Sequence, residues 1–175
     1  YRFYTDNLLY SKARMVLISA FGVIKEFGYT DDTCIVNVEL SIDYDTTNID
    51  IRKLPILKFI LEFNEDIMWR HFPNQKENVF VKSIKTILPQ NKFYRSKDLN
   101  FSNFNYILPN MEFFGVIFND VKDGILKMRY IGGKDYEYNI SGALESIGVF
   151  IDYVKKCIFM PDYTDKNKRT LENIL

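Results

Sequence analysis

"CIVNVELSI" (residues 34–42) decides the fold class. Cys34, Val36, Val38, Leu40 and Ile42 alternate with Ile35, Asn37, Glu39 and Ser41. A period of two belongs to a strand, because successive side chains leave the pleated backbone on opposite faces. One face is apolar and the other mostly polar. That is the pattern of an antiparallel sheet packed on one side and open on the other.

The flanking chain supplies the rest of that sheet and its cover. Downstream, residues 112–119 and 125–131 read as a hairpin turning near Asp123-Gly124. Within it, Leu126, Met128 and Tyr130 share one face, and Lys127, Arg129 and Ile131 the other. Upstream, "YRFYT" (1–5) reads as a short strand. Asp6 and Asn7 can cap a helix over 8–27, whose apolar residues recur at the helical period and which Gly28 terminates. Residues 54–63 read as a helix with Pro55 in its first turn, and Asn64 can cap a shorter helix reaching Phe72. Residues 79–88 suit either a strand or a helix, and 89–111 read as loops with one short strand. A long helix is expected from Glu137 to Ile158, stopped by Pro161. The expected architecture is one α+β domain over 1–161, a mainly antiparallel sheet with helices 8–27 and 138–158 on one face. The charged tail, 162–175, can form one more short helix.

The chain's 175 residues suit a single domain of ordinary size, and an apolar content of 47% fits a globular core. The 15 Phe and 12 Tyr are a surplus, with abundant Asn, Lys, Asp and Ile. Such a mix is typical of AT-rich genomes, as in phages and low-GC bacteria. Basic and acidic residues balance at 23 each, which argues against a nucleic-acid partner, since such binding leans on many phosphate contacts. Cys34 and Cys157 lie in apolar segments, as buried thiols in a reducing compartment do. The expected location is the cytoplasm or a phage particle. No signal peptide is expected, and no apolar run approaches the ~20 residues of a membrane span, so no membrane partner is expected. The strand-like opening at Tyr1 leads one to expect an upstream segment.

Few residues offer chemistry. A single histidine, His71, and no CxxC pair leave zinc without its three or four ligands. His71 ends an aromatic-rich helix, where a structural role is expected. Asp43, Asp45 and Asp50 read as a solvated acidic turn, although magnesium needs only carboxylates and water. Glu39 and Asn37 share the polar face of their strand, where a carboxylate could hold Mg²⁺ or simply pair with lysine. Arg129 has a planar fork that matches a carboxylate or phosphate, or it is an ion-paired strand residue. Gly132-Gly133 lets a ligand approach the backbone or simply breaks the strand.

Four stretches, "YRFYTDNLLYSKARMVLISAFGVIKEFGYTDDTCIVNVELSID", "KLPILKFILEF", "FPNQKENVFVKSI" and "MRYIGGKDYEYNI", together resemble amidoligase-like proteins. These belong to the carboxylate-amine ligase group with a glutamine-synthetase-type fold and include phage-encoded members. The resemblance covers most of the chain and implies a half or full domain of that type. It also implies ATP and Mg²⁺ as cofactors, with Arg129, Gly132 and Gly133 in a later ligand-binding motif. The chain departs from the group's pattern at other points. Arg2-Phe3-Tyr4-Thr5 carries no glutamate where the group has one. In Thr33-Cys34-Ile35-Val36-Asn37, Ile35 stands at a histidine position and only Asn37 is kept. Gln75 stands where an arginine is expected. Phosphoryl transfer needs metal-binding carboxylates and cations on the transferring group. The expectation is therefore a pseudoenzyme without catalytic residues or cofactor, acting as a structural or protein-binding module associated with a phage particle. The alternative is an active ATP-dependent ligase built on Glu39, Asn37 and Arg129.

Overall fold

The structure, a computed structural model, describes residues 10–41, 50–90 and 111–160. The expected strand at 1–5, the short strand in the loops around 91–110 and the tail at 162–175 fall outside these residues. Three strands form one antiparallel sheet in the order β1-β3-β2: β1 (Ile35–Ser41), β2 (Val116–Ile117) and β3 (Ile125–Gly132). Four helices accompany it: α1 (Tyr10–Phe27), α2 (Ile56–Glu62), α3 (Asp66–His71) and α4 (Ile140–Phe159). The α+β class and the antiparallel sheet are as the alternation in residues 34–42 requires.

β1 keeps its alternation. Asn37, Glu39 and Ser41 are exposed, while Val38 and Leu40 pack against the core. β3 alternates only as far as Tyr130. Val36 pairs with Ile131 and Val38 with Met128, so Asn37 alone opposes Arg129 and Tyr130. This β-bulge adds a residue to β3 and breaks the two-residue period. Ile131 is consequently fully buried rather than sharing the open face with Lys127 and Arg129.

The second hairpin strand is shorter than its sequence suggests. Met111–Phe113 is a 3-10 turn, and Phe114 forms an isolated parallel bridge with Lys82. The amide of Lys82 donates to Phe113 and the amide of Gly115 to Lys82, which diverts backbone groups from the hairpin ladder. The turn falls where expected, with Gly124 in the left-handed region at φ 80°. The ambiguous segment 79–88 is neither a regular strand nor an α-helix. It contributes the bridge at Lys82 and a 3-10 helix, Ile84–Gln90.

α4 begins at Ile140, later than Glu137. Residues Tyr136–Tyr138 form a 3-10 turn, and the Asn139 side chain accepts from the Gly142 amide at 3.1 Å. The same Asn139 amide donates to the His71 carbonyl at 2.9 Å, tying the end of α3 to the start of α4. At the other end, the buried Lys58 ammonium donates to the Met160 carbonyl. A cation at a helix C-terminus satisfies a carbonyl that lacks an intrahelical partner and complements the dipole.

Phe59 of α2 and Phe63 just beyond its end stack at 5.0 Å, and Phe59 meets Phe118 and Phe150 edge-on at 5.6 and 6.0 Å. Trp69 sits edge-on to Tyr130 at 4.8 Å. These rings join α2, α3 and α4 to the inner face of the sheet. α4 lies against β3. α1 packs on α4 and on the turn at 136–138, where Phe21 meets Tyr136 edge-on at 5.3 Å.

Candidate functional site

The open face of the sheet collects the predicted site residues. Glu39 lies directly across from Lys127 in the β1–β3 register, with Nζ to Oε1 at 3.4 Å. Lys127 also pairs with Asp120 at 2.6 Å, and this hydrogen bond, with Glu39 beside it, raises the ammonium pKa. Glu39 is thus the lysine-paired strand carboxylate, more than half exposed. Asn37 faces outward at the bulge, across from Arg129. The register brings Asn37, Glu39 and Arg129 onto adjacent positions of one sheet.

Arg129 is half-buried. Its amide donates to the Gly115 carbonyl at 2.8 Å. Its Nε is buried with no acceptor. Burial lowers the guanidinium pKa, with the Glu112 carboxylate acting in the opposite direction.

Gly132 and Gly133 have φ of 149° and 88°, where L side chains are strained. Their surroundings explain the pair. The Gly133 amide donates to the Cys34 carbonyl at 2.8 Å, and the buried Gln75 amide nitrogen donates to the same oxygen at 3.0 Å. A Cβ on Gly132 would stand 2.2 Å from that oxygen. The end of β3, the start of β1 and the loop at 73–78 therefore converge on one carbonyl. Asn78 reinforces the junction by donating to Gln75 at 3.2 Å and to the Asp32 carbonyl at 3.0 Å.

A groove of about 910 Å³ lies between the α2–α3 corner and the chain at 76–86, lined by Trp69, Lys76, Lys82 and Ser83 among others. At its edge is a carboxylate that sequence reasoning did not single out. Glu65 is buried, and it accepts from the Tyr130 hydroxyl at 2.6 Å, the Ile84 amide at 3.0 Å and the Ser83 hydroxyl. Three donors onto one buried carboxylate make a satisfied structural node that clamps β3, α3 and the 3-10 helix together. Its sequence signal is weak, because glutamate just before α3 reads as ordinary helix-start chemistry.

His71 closes α3, and its carbonyl accepts from the Asn139 side chain at 2.9 Å. Its Nε2 lies 3.5 Å from Glu145 of α4. Cys34 and Cys157 are free thiols. Cys157 is buried, and burial pushes its pKa up to about 11, away from thiolate chemistry. Among the described residues, no three His, Cys, Asp or Glu side chains cluster as a metal site would need.

The remaining candidate is α1. Phe21 is its one fully buried side chain among those described. Met15 and Phe27 are 70% and 72% exposed, and Val16, Ile18 and Val23 are also exposed. Tyr29, just beyond the helix, is 84% exposed. A helix with apolar residues on several sides is normally buried. Large contiguous apolar patches on a surface mark interaction sites. No helix among the described residues is long and apolar enough to cross a membrane.

Comparison of the chain with family models, with curated proteins and with solved structures finds no match.

Proposed function

We propose that this domain is a non-catalytic protein-binding module that works as a piece of an assembly, with α1 as its binding face. The observation that carries this reading is the exposure of Met15, Val16, Ile18, Val23 and Phe27 on a helix anchored through Phe21. The resemblance to amidoligase-like proteins supplies the scaffold in this reading. The departures at Arg2, Ile35 and Gln75 supply the loss of chemistry, because function resides in the site rather than the fold. Gln75 fits such a loss, since it is committed to the Cys34 carbonyl. The setting proposed is the cytoplasm or a phage particle, with protein rather than nucleic acid as partner.

The test asks whether α1 is covered when the protein is at work. Hydroxyl-radical footprinting should show Phe27 protected in an extract of the source cells relative to the dilute purified chain. Equal reactivity in both removes the reading.

One observation favours a second reading, an active ATP-dependent carboxylate-amine ligase. Arg129 holds a buried Nε without an acceptor, and a substrate carboxylate or phosphate would supply one. In this reading, Glu39 and Asn37 would serve beside it, and Gly132-Gly133 would lie near the ligand. Calorimetry with ATP and Mg²⁺ decides between the two. Micromolar binding that vanishes in Arg129→Met, with folding unchanged, establishes the ligase reading. No heat of binding removes it.

A further inference from the structure

We infer that Tyr130 and Glu65 form a one-electron donor site, which a one-electron oxidant in the groove draws upon through Trp69. This site is separate from the α1 face.

Oxidising a phenol at neutral pH takes away an electron and a proton. A buried tyrosine is therefore oxidised readily only where a base stands against its hydroxyl. Tyr130 has that base. Its ring is fully buried, and its hydroxyl donates to Glu65 Oε1 at 2.6 Å. The Ile84 amide and the Ser83 hydroxyl hold the same carboxylate in place. Tyr153 supplies the contrast. Its hydroxyl is also buried but has no hydrogen-bond partner, and the Cys157 thiol beside it is a poor base. Oxidation there would strand a proton on a buried ring.

One electron leaves the Tyr130 ring and reduces the oxidant. The phenolic O–H bond breaks, and its proton crosses the hydrogen bond to Glu65 Oε1. A phenol and a carboxylate become a neutral phenoxyl radical and a neutral carboxylic acid. The pair thus passes from one negative charge to none. Burial penalises the charged form, so these surroundings favour the oxidised pair. The new acid donates back to the radical oxygen, and return of the electron returns the proton.

The electron has a defined exit. Trp69 follows Glu65 by four residues, one helical turn, so both side chains meet Tyr130. The Trp69 and Tyr130 rings are edge-on at 4.8 Å. Indole and phenol are oxidised with comparable ease at neutral pH. Trp69 also lines the groove of about 910 Å³, a volume that admits a small-molecule oxidant. Phe63 lies at 6.0 Å from Tyr130, and its benzene ring is far harder to oxidise. The radical is therefore sheltered in the core and reached through Trp69.

The experiment generates tris(bipyridine)ruthenium in its oxidised state by a laser flash with persulfate, in the presence of the purified chain. Transient absorbance and electron paramagnetic resonance follow the tyrosyl radical. The expected result is a neutral radical that outlives those on exposed tyrosines. Its yield should stay level through neutral pH, because the proton acceptor is internal. Tyr130→Phe should abolish this long-lived signal, and Tyr153→Phe should leave it. Glu65→Gln should remove most of the yield, and Trp69→Phe should shift its formation to later times. Circular dichroism establishes that each variant is folded. Because Glu65 also ties the fold together, a replacement of Tyr130 by fluorotyrosine marks the site with the carboxylate intact. Fluorine hyperfine splitting should then appear in the long-lived signal. No long-lived radical, or one without that splitting, overturns the donor site. An unchanged yield in folded Glu65→Gln overturns the carboxylate as proton acceptor, and unchanged kinetics in Trp69→Phe overturn the exit.

Discussion

Gly132 shows what a single residue does in this fold. It has a positive φ, and the Cys34 carbonyl occupies the space a side chain would need. Gly132→Ala should therefore lower stability by roughly 2 kcal/mol or more, from backbone strain together with displacement of the carbonyl. Urea denaturation should show a lower midpoint with an unchanged slope; an unchanged midpoint would mean the junction yields freely. The sequence shows two glycines at a strand end. It does not show that Gln75, more than fifty residues upstream, donates to the same carbonyl. Arg129 is the reverse case. Its place on a strand, across from the polar face of β1, is legible from alternation. The buried Nε and the bulge beside it are not, because an apolar Ile131 in line with Lys127 and Arg129 reads equally as a mixed strand face. Glu65 was barely legible, since its three donors come from two distant segments, Ser83-Ile84 and Tyr130.

At the scale of elements, periodicity served where elements are long. α1, β1, α2 and α4 fall close to their expected residue ranges because each carries a continuous apolar stripe, although α1, expected on the sheet, packs mainly on α4 and the turn at 136–138. The misjudged elements are short and set by hydrogen bonds that patterning does not carry. Lys82 captures the backbone around Phe114 and shortens β2, and the Asn139 cap moves the start of α4 past Tyr138. α1 was legible as a helix, and its apolar surplus was visible too. Which of its sides the fold would leave uncovered was not. Gly22 sits mid-helix there, exposed, with no atom within 4 Å of where a Cβ would stand. Glycine in such a position costs about 0.5–1 kcal/mol relative to alanine, so Gly22→Ala should stabilise α1. Because few side chains tie α1 to the core, the gain should be local. Amide exchange within α1 should slow about two- to five-fold, with less change in β3. Faster exchange in α1 would mean that Gly22 fits a contact absent from the free chain.

At the scale of the whole molecule, the aromatic surplus has a double use. Phe59, Phe63, Phe118, Tyr130 and Phe150 are fully buried, so much of it builds the core, while Phe27 and Tyr29 face solvent. Burying tyrosines and a thiol makes stability sensitive to alkali. Burial raises the Tyr130 hydroxyl well above its ordinary 10.0, and Glu65 adds to the effect. Burial also pushes Tyr136 up to about 12, lifts Tyr153 and carries Cys157 from 9.0 to about 11. Each raised value means that the folded state holds its proton more tightly than the unfolded chain does. Such groups contribute stability in full below their unfolded values, and it is lost as pH climbs through the folded ones. Lys127, raised by Asp120 and Glu39, acts in the same sense. Lys85 acts in the opposite sense, because burial lowers its pKa and the folded state gains as pH rises toward 10.5. Four acids, Tyr130 and Cys157 buried and Tyr136 and Tyr153 partly so, together with Lys127 outweigh this one amine. The melting temperature should accordingly fall as pH rises from about 9 to about 12, the span of the Cys157 and Tyr136 values. Thermal melts across that range, with tyrosinate absorbance followed in parallel, provide the check. The part of the absorbance change that Tyr130→Phe removes should coincide with unfolding rather than precede it. If that part develops in a chain that remains folded, the core ring is open to solvent.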